Sequence, residues 1–257
     1  MHPRRTEETL RELLGGNSVY YLGHSTFRIT TSAGENIIID PWLADNPQTP
    51  EDLKQVEDLD TILVTHGHFD HFDDTIPLAR QTEARVVANF EISTYLLAKG
   101  LENVSPMQKG GTDQVGGVGV TVVDAKHASS IAEEDGTIVY AGEPCGYIVE
   151  LDNGFKIYHA GDTGIFGDMR LIGELYSPDL AILPIGNRVL MGPFEAAHAA
   201  RLLGVGHVVP MHYGTEPFPV TLPGTPEDLR EQLSGIQNDA TVYAMKPGED
   251  LASQKAS

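Results

Sequence analysis

Short apolar, β-branched runs recur along this chain and predict strands at Ser18–Leu22, Thr26–Thr30, Asn36–Asp40, Thr61–Thr65, Arg85–Ala88, Val118–Val123, Gly146–Leu151, Phe155–His159, Leu180–Pro184, His207–Pro210 and Thr241–Ala244. Between some of them the apolar period lengthens to about 3.6 residues, which predicts helices over Asp74–Gln81, Glu91–Lys99, Pro193–Leu203 and Pro226–Ser234. In the second of these Ile92, Tyr95, Leu96 and Leu97 form the apolar face and Gly100 stops it. The early strands read as hairpin-linked and antiparallel, with Ser32-Ala33-Gly34-Glu35 as a turn, whereas later strands alternate with helices. Gly110-Gly111 and Gly116-Gly117 read as hairpin turns, because a strand and not a helix follows. A mixed α/β fold is expected, in two strand-rich halves that each finish with strand-helix units. No long Pro, Gly or Ser linker divides them, so a single domain over residues 1–257 is expected. Met1–Gly16 reads as a short amphipathic helix and the polar tail from Gly248 to Ser257 is expected to fray.

Composition narrows the function classes. A chain of 257 residues that is 40% hydrophobic has material for a sizeable core. Lys and Arg total 17 against 37 Asp and Glu, a formal charge of -20, and no local basic cluster offsets it. Nucleic-acid backbones and anionic membrane surfaces are therefore not expected partners. A small-molecule substrate is, and a homo-oligomer is compatible with the same reading. No run of about eighteen apolar residues occurs, which excludes a membrane-spanning helix. Glu7, Glu8 and Glu12 interrupt the first leucines where an export signal would have its apolar core, so a cytoplasmic location is expected. The single cysteine, Cys145, excludes an internal disulfide and reads as a small buried apolar residue.

The chemistry concentrates in Thr65-His66-Gly67-His68-Phe69-Asp70-His71, directly after the apolar run Thr61-Ile62-Leu63-Val64. Three imidazoles and a carboxylate within six positions at a strand end point to a metal site. In an extended segment alternate side chains share a side, so His66 and His68 can meet at one ion. Asp70 and His71, beyond the bend, can reach a neighbouring one. Imidazole nitrogen and carboxylate oxygen without thiolate suit zinc, with manganese, iron or nickel as alternatives.

This loop, read with the motifs around it, resembles the metallo-β-lactamase superfamily. The likeness runs from Tyr21-Leu22-Gly23-His24-Ser25-Thr26-Phe27 through Ile39-Asp40-Pro41 and the histidine loop to His127-Ala128-Ser129-Ser130. It continues through Tyr158-His159-Ala160-Gly161-Asp162-Thr163-Gly164, Leu183-Pro184-Ile185-Gly186, Met191-Gly192-Pro193 and Pro210-Met211-His212-Tyr213. More narrowly, the chain looks like the bacterial and archaeal metal-dependent hydrolases near the ascorbate-6-phosphate lactonases. The resemblance implies a four-layer αββα sandwich of two mixed β-sheets with helices on the outer faces. It implies two divalent metal ions, the first held by His66, His68 and His127, the second by Asp70, His71 and His212, with Asp162 bridging them. It also makes Asp40 an outer carboxylate that orients a ligand histidine, and puts His24 near the cleft, where it would orient substrate or a ligand.

The implied activity is hydrolysis of a small ester, lactone or phosphorylated metabolite by water ionised at the metal pair, with Asp70 or Asp162 orienting the attacking oxygen. Cleavage of small phosphodiesters is the alternative within the enzyme class, and a non-catalytic metal- or ligand-binding protein of the same fold is the alternative outside it. Asn187 and Arg188 fall on a loop that in such hydrolases borders the cleft, where a cation would meet an anionic substrate group. The relatives often carry an acidic residue where Asn187 stands. His159, His198 and His207 read as structural.

Overall fold

The computed structural model describes residues 9–215 and 221–254. Its first helix, α1 (Leu10–Leu14), opens with a reciprocal capping box between Thr9 and Glu12 and closes on Gly15 in the left-handed region. The expected helix over Met1–Gly16 is thus seen only in this stretch, and its first eight residues lie outside the described ones.

Six strands build the first sheet in chain order: β1 (Ser18–Gly23), β2 (Thr26–Thr30), β3 (Asn36–Ile39), β4 (Thr61–Leu63), β5 (Arg85–Ala88) and β6 (Val104–Pro106). The first three are antiparallel, with the expected turn between β2 and β3, and β3 to β6 are parallel. Helices α2 (Phe69–Phe72), α3 (Thr75–Thr82) and α4 (Phe90–Ala98) fill the crossovers. Along β3 the period of two sends Ile37 and Ile39 into one core and Ile38 into another, where it joins Ile92 and Leu96 of α4. Both faces of this sheet are therefore covered, which is why its parallel strands read as unbroken apolar runs.

The second sheet repeats the plan with seven strands, in the order β15-β14-β13-β12-β11-β8-β7. β7 (Thr112–Val115) and β8 (Val118–Asp124) form a hairpin about Gly116 and Gly117. A separate hairpin, β9 (Ser130–Ala132) with β10 (Ile138–Tyr140), precedes β11 (Cys145–Glu150) and β12 (Lys156–His159). Then β13 (Leu180–Pro184), β14 (His207–Met211) and β15 (Thr241–Val242) run parallel to β12, linked by α5 (Met169–Tyr176), α6 (Pro193–Leu203) and α7 (Pro226–Gly235). Tyr147 of β11 ties the two sheets together: it is fully buried and its hydroxyl donates to the Val64 carbonyl at 2.7 Å. Cys145 is likewise buried against the first sheet, its backbone N–H donating to the Thr65 carbonyl at 3.0 Å.

The elements expected from the apolar pattern omit β6, β7, the β9–β10 hairpin and α5. β7 buries only Val115, because it lies at the sheet edge, and β6 is an edge strand that ends in Pro106. α5 does carry an apolar face, with Met169, Ile172 and Tyr176 at helical spacing, but it spans only eight residues, and Leu171 and Leu175 beside that face are exposed. The tail needs a correction. Where fraying was expected, Leu251 is fully buried and Asp250 accepts the Val19 N–H through its carboxylate at 3.2 Å. Gly248 donates to the Tyr21 carbonyl at 2.7 Å, so this segment finishes the open edge of β1. One apolar anchor in a polar stretch leaves no periodic signal; residues 255–257 lie outside the described ones. Among the described residues no helix is long and apolar enough to cross a membrane.

Candidate metal centre

Strand ends aim the chemically important side chains. His24 directly follows β1, Asp40 follows β3 and His212 follows β14, and all three have left-handed backbones, with φ of 55°, 50° and 55°. Such a conformation costs a non-glycine residue about 1–3 kcal/mol and persists where the surroundings enforce it. Gly161 makes the corresponding bend before Asp162 at φ 60°, and a Cβ there would stand 2.7 Å from the Cys145 carbonyl oxygen. Gly67 allows a different close approach. A Cβ on it would meet Ala141 Cβ at 2.6 Å and Ile131 Cγ1 at 2.9 Å, so only glycine lets the histidine loop lie on the β9–β10 hairpin. The loops carrying His127 and Asp162 are laced together by Lys126 N–H to Thr163 Oγ1 at 2.9 Å and Gly164 N–H to the Lys126 carbonyl at 3.0 Å.

These devices bring together side chains from both sheets. His66 Nε2 stands 3.0 Å from His68 Nδ1, and with His127 they form one set of donors. His24, Asp70, His71 and His212 form a second set, their donor atoms within 4.8 Å of one another. Asp162 lies between the two: Oδ2 is 3.1 Å from His212 Nε2 and 3.5 Å from His127 Nε2, while Oδ1 is 3.3 Å from His71 Nε2. All of the second set is buried, whereas His68 and His127 are partly exposed. The open side of the centre therefore lies at His68 and His127.

Behind the histidines sits Asp40. Its Oδ1 accepts the Thr65 N–H at 2.7 Å, and its Oδ2 accepts the Thr65 hydroxyl at 2.6 Å and faces His71 Nδ1 at 2.9 Å. A carboxylate only accepts, so His71 carries its proton on Nδ1. Thr65 has spent its one hydrogen on Asp40, so His66 Nδ1, 3.0 Å from that hydroxyl, must donate to it. One buried carboxylate thus places a proton on Nδ1 of both rings and makes Nε2, directed at the centre, the atom each can offer to a metal.

The electrostatics match this arrangement. Burial pushes the His66 imidazole well below its ordinary value, and the neighbouring His71 adds to the shift. Burial, then His127 and His71, lowers His68; burial also lowers His127, outweighing the nearby Asp162. For Asp162 burial acts upward, but His212 and His71 outweigh it and hold the carboxyl well below the carboxylate range. Asp70 is held down in the same way, by His71, His212 and His24. Against the effect of burial, Asp162 and Asp70 push His71 well above its ordinary value and His212 up to about 9, so without metal these two rings carry the positive charge that a divalent cation would supply in their place.

A direct structural test supports the fit of a metal. His71 Nε2, Asp162 Oδ1 and both ring nitrogens of His212 are buried without a hydrogen-bond partner. His71 Nε2 and Asp162 Oδ1 are close yet misaligned for a hydrogen bond, as groups aimed at a common third point are. Leaving so many polar atoms unpaired in a core is costly, and cations between them remove the cost.

A family model described as a beta-lactamase superfamily domain matches residues 35–213, the span from before Asp40 to just past His212. The chain belongs to the metallo-β-lactamase superfamily. Within that superfamily its relatives are named metal-dependent hydrolases, and it is one of them. A metal-dependent hydrolase of Rubrobacter xylanophilus is 67% identical over 244 residues, covering 95% of this chain and 100% of that protein. The solved structure of Igni18, a metallo hydrolase of the archaeon Ignicoccus hospitalis, matches with a TM-score of 0.76 and 35% identity, over 91% of this chain and 97% of that one. CmlA, a diiron β-hydroxylase of Streptomyces venezuelae, matches with a TM-score of 0.70 at 15% identity, over 91% of this chain and 53% of that one. That likeness is one of fold alone, and it separates the metallo-β-lactamase fold from any single reaction. The four-layer arrangement expected from the sequence is the one observed.

Of the residues singled out in the sequence, His24, Asp40, His66, His68, Asp70, His71, His127, Asp162 and His212 converge at this metallo-β-lactamase centre. Asn187 and Arg188 do not join it. Both are exposed with left-handed backbones, on a loop that leaves β13 beside His212 and returns at Met191, whose N–H donates to the Thr163 carbonyl at 3.1 Å. Sequence reasoning passed over three supporting residues. Thr65 links Asp40 to His66, Thr215 Oγ1 lies 2.6 Å from His24 Nδ1, and Gln48 accepts the His24 N–H at 2.7 Å while donating to the Tyr213 carbonyl at 3.1 Å. Thr65 directly precedes His66 and Thr215 lies three residues after His212, a signal that could have found them. Gln48 has no such signal.

Proposed function

We propose that this hydrolase holds two divalent ions, zinc first among the candidates, and cleaves a small ester, lactone or phosphorylated metabolite. The reading rests on the buried, unpartnered nitrogens and oxygens of His71, His212 and Asp162, which point at a shared centre from separate strands. His66, His68 and His127 would hold one ion and Asp70, His71 and His212 the other, with Asp162 reaching both. Divalent ions supply Lewis acidity there, ionising water near neutral pH and polarising a carbonyl or phosphoryl oxygen.

The chain's own residues do the rest. Asp40 fixes the tautomer of His71 directly and that of His66 through Thr65, so that Nε2 of each ring is the atom offered to a metal. Asp162 and Asp70 orient the hydrogens of the attacking water with carboxylate oxygens whose low pKa keeps them ionised. Substrate enters where His68 and His127 are partly exposed. The Asn187–Arg188 loop, anchored beside His212 and Thr163, borders that entrance and presents Arg188 to an anionic group. A net charge of -20 disfavours long nucleic acids as substrates.

Metal analysis and a hydrolase panel test this reading. The wild type should contain two ions per chain, lose turnover on chelation and regain it on add-back. A variant with His66→Ala and His68→Ala should lose metal and turnover together, and turnover without metal would refute the mechanism. Lactones set against bis-aryl phosphodiesters in the same panel distinguish acyl from phosphoryl transfer.

A further inference from the structure

His24 does more than border the centre. The family resemblance gives the second ion three protein ligands of its own, yet four side chains surround that position: His24, Asp70, His71 and His212. Asp70 Oδ2 is 2.9 Å from His24 Nε2, 3.5 Å from His212 Nε2 and 3.9 Å from His71 Nε2. Four donors held about 2.0–2.1 Å from one ion in a tetrahedron stand roughly 3.3 Å apart, a separation these distances bracket. The His24 and His212 rings lie 3.8 Å apart, centroid to centroid, tilted by 46° and without room for a solvent layer between them.

The far side of the His24 ring fits the same role. Nδ1 is 2.6 Å from the Thr215 hydroxyl, which can accept an Nδ1–H. With its proton on Nδ1 the ring offers an Nε2 lone pair 2.9 Å from Asp70 Oδ2, a pair of donors that a cation would share, whereas with the proton on Nε2 the same contact is a hydrogen bond to Asp70. The strained backbone of His24 is clamped by Gln48 on its N–H and by the His212 N–H on its carbonyl, at 2.7 and 2.8 Å.

We propose that His24 is an additional protein ligand of the buried ion, beside Asp70, His71, His212 and the shared Asp162. The proposal rests on the two-ion reading above.

Cobalt(II) titration of the metal-free protein tests it, read by visible absorption and by paramagnetically shifted imidazole N–H resonances. The wild type should bind two ions and show a shifted N–H from His24. His24→Gln retains an amide that can donate to Asp70 but lacks the imidazole nitrogen. It should bind one of the two ions roughly 100-fold more weakly, change the visible spectrum and lose that resonance. Two ions bound by His24→Gln with unchanged affinity and spectrum would overturn the role of His24 and leave the two-ion reading intact. No cobalt bound by the wild type would overturn that reading itself. For a variant that does not fold, the wild-type spectrum decides, since a fully bound protein with no shifted resonance from His24 overturns the proposal.

Discussion

Replacing Asp40 with Asn is the sharpest perturbation of this centre, because it changes the charge and hydrogen-bonding pattern of a buried group at nearly constant volume. Asp40 has φ 50°, a conformation that Asn tolerates as Asp does, so the backbone is not asked to move. The carboxylate accepts from Thr65 N–H, the Thr65 hydroxyl and His71 Nδ1–H at 2.7, 2.6 and 2.9 Å. An amide satisfies only part of this set. With its oxygen on Thr65 N–H, its NH2 faces His71 Nδ1, which must then accept, so the ring proton moves to Nε2 and blocks the metal side. With the amide flipped, its NH2 opposes the Thr65 N–H. Each hydrogen bond to a charged group is worth about 1.5–3 kcal/mol. Loss of such an orienting partner typically weakens metal binding about 10–100-fold, or about 1.4–2.8 kcal/mol. Competition with a chromophoric chelator at neutral pH should place Asp40→Asn in that range. Asp40→Ala should be weaker still and less stable, since it removes all three bonds and puts Ala in a left-handed conformation costing about 1–2 kcal/mol. An affinity for Asp40→Asn within about threefold of the wild type would show that the carboxylate does not set the histidine tautomers.

Chelation should lower the melting temperature and zinc should restore it, because ligand at 100 times its dissociation constant stabilises the native state by about 2.7 kcal/mol; a scan unchanged by chelator would contradict bound metal. Gly67→Ala should cost about 1–3 kcal/mol of stability by driving its Cβ into Ala141 and Ile131, and weaken metal binding as the loop lifts from the β9–β10 hairpin. Denaturant unfolding and chelator competition on one preparation check both effects. Leu251→Ala should destabilise the fold by about 2–5 kcal/mol in urea titration, the cost of a cavity at a fully buried leucine; a change below about 0.5 kcal/mol would mean that the tail packs no core.

Much of this architecture was legible because burial on both sides of a sheet leaves a local trace. Ile37-Ile38-Ile39 and Ile62-Leu63-Val64 are apolar at every step, since successive residues enter different cores, and helices such as α6 carry their own Pro and Gly boundaries. Elements with one dry side chain and several wet ones, such as β7 and the segment around Leu251, leave almost no such trace. The same division runs through the centre. The histidine loop is compact enough to announce metal chemistry, while His127, Asp162 and His212 acquire meaning only beside it.

By itself the chain determined which donor types are present, in what order, and that they hang from the ends of apolar strands. These are local properties, carried by residue identity and spacing. Only the tertiary structure decided that Thr65, rather than a direct contact, connects Asp40 to His66, that Gln48 and Thr215 hold His24, and that one donor set is buried while the other opens to solvent. Those facts depend on how two sheets that share no backbone hydrogen-bond ladder dock face to face, and a docking geometry is set by the sum of many apolar contacts, none of which is written in any one segment.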